Sequence, residues 1–282
     1  MKPFRWNIDK KNELGTLIDH NQIEIPADFT NELISSSARI LAFADNSFIY
    51  FVGRSPEDYY DFLSGVFDHN ELIKERLNLF QFSARFYNIG ELKGNYLKEL
   101  NGLKKYMEDI QLSPKHIRER KTKTAFVDVV YYSHTFNILI DILKDWALEI
   151  NEDWATIKNK IRIVGITVRT KNSPNTWRWQ QNVDWIDTIG RTKVKNVSVS
   201  EYFWHVIANS NYKTTKSFQP KNWNNPEVEK PPRDFYNKQG LRIAFTLFNQ
   251  GMRTENKSKL REHLVKQNEI KFNWYKEYIK SL

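Results

Sequence analysis

Four nearly continuous apolar runs punctuate the first 170 residues. They lie at 47–53 (Ser-Phe-Ile-Tyr-Phe-Val-Gly), 77–83 (Leu-Asn-Leu-Phe-Gln-Phe-Ser), 123–130 (Lys-Thr-Ala-Phe-Val-Asp-Val-Val) and 160–169 (Lys-Ile-Arg-Ile-Val-Gly-Ile-Thr-Val-Arg). Short runs of this kind read as strands covered on both faces. Between them the apolar spacing turns helical. Tyr59, Phe62, Leu63, Val66 and Phe67 recur at i, i+3, i+4, i+7 and i+8. Leu92, Tyr96, Leu97, Leu100, Leu103, Tyr106 and Met107 mark a helix over 91–110, and a third follows over 134–150. A further helix, at 29–44, precedes the first strand. Strand alternating with helix over 47–169 predicts an α/β fold with a mainly parallel central sheet flanked by helices.

Ligands of such sheets bind beyond the carboxyl ends of the strands. That points to Gly53-Arg54-Ser55, Ser83-Ala84-Arg85, the stretch Asp128 to Thr135, and Arg169-Thr170. In the first turn Ser55 suits a helix N-cap, Pro56 the first helical position, and Glu57 and Asp58 the first turn. Arg54 can fork onto phosphate oxygens, although Glu57 and Asp58 would repel a phosphate there. An ordinary cap with a surface arginine explains the same residues. In the later turn Asp128 is a single acid inside an apolar strand, and Ser133, His134 and Thr135 open a helix. Hydroxyls and unpaired N–H groups at a helix start can cradle a phosphate. A strand-end carboxylate can hold sugar hydroxyls, or Mg²⁺ through water. The plain alternative is a strand acid satisfied by its neighbours and a threonine cap.

From 171 onward the texture is polar and rich in tryptophan, proline and asparagine, with a short helix near 200–208, loop over 213–232, and helices over 234–250 and 255–281. This divides the chain into an α/β core at 1–170 and a C-terminal helical and loop-rich extension at 171–282. Trp177, Arg178, Trp179, Lys193, Lys195, Tyr212, Lys213 and Trp223 would make this half a basic, aromatic surface for nucleic acid or a protein partner. Packing and loop anchoring account for the same residues.

Composition narrows the chemistry. Lys+Arg 43 against Asp+Glu 34 gives +9, which favours anionic partners. With no cysteine, disulfides, Cys-ligated zinc and a Cys nucleophile are excluded. The six histidines show no ligand spacing, and no Gly-x-Ser-x-Gly, Walker A or Gly-x-Gly-x-x-Gly occurs. No stretch approaches the ~20 apolar residues of a membrane span, and no signal-peptide run opens the chain. A cytoplasmic protein with no membrane partner is expected.

The two turns, in this order on this pattern, resemble the type I phosphoribosyltransferase family over roughly residues 29–170. The resemblance implies that Gly53-Arg54-Ser55 meets pyrophosphate and that Asp128 meets ribose, with Mg²⁺. It further implies that Ser133, His134 and Thr135 hold the 5-phosphate of phosphoribosyl pyrophosphate (PRPP); Arg85 and Arg169, each closing a strand, could reach the same site or be plain surface charges. The basic run Lys115 to Lys123 would be a mobile loop over it, or else a solvated basic connector. The chain departs from the family pattern at Val129, where a second acid is usual, and at His134, near which a loop glycine is missing. The implied activity is transfer of a phosphoribosyl group with release of pyrophosphate. The alternative is a non-catalytic module that senses a nucleotide, or that binds nucleic acid or protein.

Overall fold

In the structure, a computed structural model that describes residues 2–10, 14–18, 23–84, 86–172 and 179–282, the first apolar run is a strand whose alternate side chains enter two cores. Ile49 and Phe51 join one, Tyr50 and Val52 the other. Five such strands make one sheet: β1 (Ser47–Val52), β2 (Leu77–Phe80), β3 (Lys123–Val129), β4 (Ile161–Val168) and β5 (Val194–Val199). Their order is β2-β1-β3-β4-β5, and every adjacent pair is parallel. The expected parallel α/β architecture is therefore present.

The principal helices are α1 (Ala27–Phe43), α2 (Glu57–Val66), α3 (Leu97–Asp109), α4 (His134–Glu149), α5 (Phe235–Met252), α6 (Thr254–Val265) and α7 (Asn273–Lys280). Apolar residues of α1, α2 and α5 to α7 pack on the Ile49 face, and those of α3 and α4 on the Tyr50 face. The chain runs from β1 outward to β2, then returns past β1 to β3 and continues the other way. The strand order thus reverses between β1 and β3, where a doubly wound sheet opens a crevice.

Several expectations need correction. The sheet does not end at 170: β5 comes from the polar half, and α5 to α7 complete one core. The helix expected over 91–110 is two pieces, Ile89–Asn95 and α3, broken at Tyr96, just after the weak helix formers Gly94 and Asn95. The last helix is also broken, by a 3-10 turn at Asn268–Lys271. The basic run before β3 is no lid. Pro114–Glu119 is helical and capped by Ser113. Arg120 is fixed to Thr124 (2.6 Å), Tyr50 (3.0 Å) and the Gln111 carbonyl (2.9 Å), and Lys123 pairs with Asp45. Lys123 stands beside Ser47, the first residue of β1. In a parallel sheet that is the amino end, opposite the crevice. No helix among the described residues is long and apolar enough to cross a membrane.

Helices α2 and α5 approach closely through glycines. A Cβ on Gly65 would lie 2.0 Å from the Phe248 carbonyl oxygen, and one on Gly251 2.1 Å from that of Phe62. Gly251→Ala is therefore expected to lose about 2–3 kcal/mol of stability by overpacking. Gly94→Ala, whose Cβ meets nothing within 4 Å, should gain about 0.5–1 kcal/mol. Urea unfolding of both variants checks the opposite signs.

Candidate functional site

The turn after β1 enters the crevice on a left-handed residue, Gly53, at φ 74°. Its missing side chain lets the chain pass the Phe82 carbonyl, which a Cβ would meet at 3.1 Å. Arg54 and Ser55 follow, both half-buried at the cleft. Pro56 rather than Ser55 is the N-cap of α2, and no side chain caps it. The helix thus starts one residue later than expected, which leaves Ser55 lining the cleft.

Glu57 and Asp58 do not confront a ligand. Both are buried and turned onto residues 211–215. The Thr214 N–H (3.2 Å) and the Thr215 hydroxyl (2.9 Å) donate to Glu57, as does Gln81 from the wall (3.4 Å). Asn211 donates to Asp58 at 2.6 Å, and the Lys213 ammonium lies 3.9 Å from it. Burial pushes the Asp58 carboxyl above its ordinary range, against the pull of Lys213. Residues 211–219 thereby form a strap across the crevice. Arg54 donates to the Thr215 carbonyl (3.3 Å), Asn237 to the Lys213 carbonyl (2.9 Å) and the Ser83 N–H to the Phe218 carbonyl (2.9 Å). On α5, Gly240 has no room for a side chain: its Cβ would lie 2.3 Å from the Lys213 carbonyl carbon.

The turn after β3 forms the facing wall. Asp128 is on the same sheet face as Phe126, the face that α4 covers. It accepts the Val129 N–H at 2.7 Å and shares a hydrogen bond with the Thr135 hydroxyl. Burial dominates and pushes its carboxyl up to about 8, so it carries a proton at neutral pH. Ser133 is buried and left-handed, at φ 61°. That conformation costs a non-glycine residue on the order of 1 kcal/mol. It takes the place in the turn where a glycine would be at ease. The Ser133 hydroxyl oxygen accepts the Trp185 indole N–H at 3.2 Å and does not cap α4. His134 is exposed at the cleft.

Together these walls enclose a cleft of about 850 Å³ that brings Gly53, Arg54, Ser55, Asp128, Ser133, His134 and Thr135 to one place. Arg169 is not among its lining residues and pairs with Glu32 of α1 at 3.0 Å. Arg85 lies outside the described residues, as do Trp177 and Arg178. Trp179 and Trp223 do not form a stacking surface. Both are buried; their indoles donate to Asn196 (3.0 Å) and to the Phe218 carbonyl (3.0 Å). Lys213 is committed to Asp58 and to the Ile207 carbonyl, and Lys193 to Asn159 and the Lys158 carbonyl. Lys195 is exposed on β5.

Further residues complete the site. Gln81 and Lys216 line the cleft, and so do five of the eight exposed aromatics among the described residues: Phe86, Tyr131, Tyr132, Tyr212 and Tyr236. Tyr131 and Tyr132 stand between strand and helix, where apolar residues have no core to enter; that signal was legible. Tyr212, a candidate ring of the basic aromatic surface, is exposed and lines the cleft; Tyr236 carries no such signal. Among the described residues no group of three or more His, Asp or Glu could hold a metal. A Mg²⁺ here would have Asp128 as its one carboxyl from the β3 turn and would be held mainly by ligand phosphates.

No family model, no curated protein and no solved structure matches the chain.

The Asp128 proton has a consequence for stability. The unfolded carboxyl titrates near 3.9 and the folded one at about 8. Between these values the folded state holds a proton that the unfolded state has released. The contribution is full below about pH 4 and is lost as pH rises through about 8. Asp128→Asn should therefore gain stability relative to wild type as pH rises from about 4 to 8, by up to about 1.4 kcal/mol per pH unit. Urea unfolding across that range measures it; a difference flat in pH would contradict the assignment.

Proposed function

We propose that the cleft binds a phosphorylated ribose, PRPP or a nucleotide, in the manner of a divergent phosphoribosyltransferase-like protein. One observation carries the reading: turns 53–55 and 128–135, seventy-odd residues apart in sequence, line a single cleft at the strand-order reversal. The 5-phosphate lies against the first-turn N–H groups of α4, beside His134 and Thr135. Ribose hydroxyls meet Asp128. Outer phosphates meet Arg54 and Ser55, with Lys216 at the rim, and the exposed aromatic rings take a planar group by stacking. In a transfer reaction the bond from the anomeric carbon to pyrophosphate breaks as the acceptor bonds to that carbon, through an oxocarbenium-like state.

A second reading, a non-catalytic nucleotide sensor, draws on the state of Asp128. A protonated carboxyl gives neither Mg²⁺ nor an oxocarbenium a negative charge. Val129, in the position of a second acid, packs against the core.

Titration calorimetry of PRPP with Mg²⁺ tests the binding. Arg54→Ala should weaken it about tenfold or more, as loss of a charge-assisted contact does, and Asp128→Asn should weaken it less. No binding by the wild type would overturn the proposal. Pyrophosphate release with any of a panel of nucleobases would select transfer, and binding without release would select the sensor.

A further inference from the structure

Trp185 is absent from the cleft lining yet holds one of its walls. It sits in the short helix Trp185–Ile189 and is buried. Its orientation is fixed on two sides. The ring lies 6.0 Å from Phe136 of α4 and stacks on Trp179 at 6.0 Å, with planes 25° apart. Trp179 is itself held by Asn196 of β5, and it lies over Gly165 of β4, where a Cβ would meet it at 3.0 Å. The Trp185 N–H therefore presents to Ser133 from a platform built on β4 and β5.

Two other serines of this chain show what Ser133 would do without it. Ser113 and Ser200 are extended N-caps, and each accepts an N–H of its helix through its hydroxyl. Ser133 is left-handed and makes no such bond. Its oxygen is drawn back to Trp185. The N–H groups of Thr135 and Phe136, which an N-cap serine would satisfy, have no side-chain cap at Ser133.

We infer that Trp185 is a positioning residue for the phosphate turn: by taking the Ser133 oxygen it holds that residue left-handed and keeps α4 uncapped for a ligand phosphate. The inference rests on the phosphate reading of the cleft. No contact between Trp185 and ligand is involved. Its effect passes through Ser133.

Trp185→Phe keeps an aromatic ring and removes the donor. The Ser133 hydroxyl then caps α4 and competes with the ligand. Amide hydrogen exchange of Thr135 and Phe136 should slow, and affinity for ribose 5-phosphate should fall about tenfold, the worth of a cap. The thermal midpoint should move little. Adding Ser133→Gly removes the competing hydroxyl and suits the left-handed turn, so the double variant should regain most of the affinity. A merely structural tryptophan would show no such rescue. Unchanged affinity and exchange in Trp185→Phe, or no rescue, overturns the inference. Should that variant fail to fold, the wild type decides. Its Trp185 indole proton should exchange slowly, and its Thr135 and Phe136 amides should be labile when free and protected by ribose 5-phosphate. A labile indole proton, or amides already protected, contradicts the inference. Absence of ribose 5-phosphate binding by the wild type refutes the phosphate reading instead, and the exchange data on Trp185→Phe still decide what Trp185 does to α4.

Discussion

Two buried carboxylates at the start of α2, Glu57 and Asp58, hold the C-terminal half of the chain across the mouth of the sheet. Buried carboxylates need partners, and removing one partner leaves a charge that costs about 3–5 kcal/mol. Here the partners of Glu57 and Asp58 are the side chains of Asn211, Lys213, Thr215 and Gln81 and the backbone of Thr214. The helix N-terminus is also where acids are best placed. The carboxylates and the strap therefore fix each other, and the crevice gains a roof. The glycine contact between α2 and α5 sets the distance at which this happens, and Gly240 leaves room for the strap to pass.

The strand order gives that roof something to cover. Because the chain reverses between β1 and β3, their two following turns open side by side. One turn is left-handed through a glycine and the other through a serine. The serine conformation needs support, and a tryptophan ledge resting on β4 and β5 supplies it. Asp128, walled in by α4 and the sheet, keeps its proton. A neutral carboxyl can both donate to and accept from a sugar hydroxyl, whereas it holds a metal poorly.

Legibility in the sequence followed the range of the interactions. β1, β3 and β4 are buried on both faces, so their apolar runs mark them within a residue or two. β5, Val-Lys-Asn-Val-Ser-Val, mixes polar with apolar positions at the sheet edge, and reads as part of a polar extension. Both cleft-lining turns were legible because they are local: strand, short loop, helix start. The strap was not. Glu57 and Asp58 look like plain first-turn acids, because their hydrogen-bond partners on the strap lie 153 to 158 residues away. Trp179 and Trp223 allow either a stacking surface or packed anchors in polar sequence, and the fold buries both, Trp179 with its ring over Gly165 and Trp223 with its backbone carbonyl against Gly102. The basic run before β3 pointed to anions by charge alone, but the parallel register places it at the wrong end of the sheet.

The central claim, that the acid pair builds the cleft by clamping the strap, is tested most directly by hydrogen exchange on Glu57→Ala. Exchange should accelerate across residues 211–219 while β3 and β4 keep their protection. Unchanged protection of the strap, or loss spread evenly over the sheet, would contradict the account.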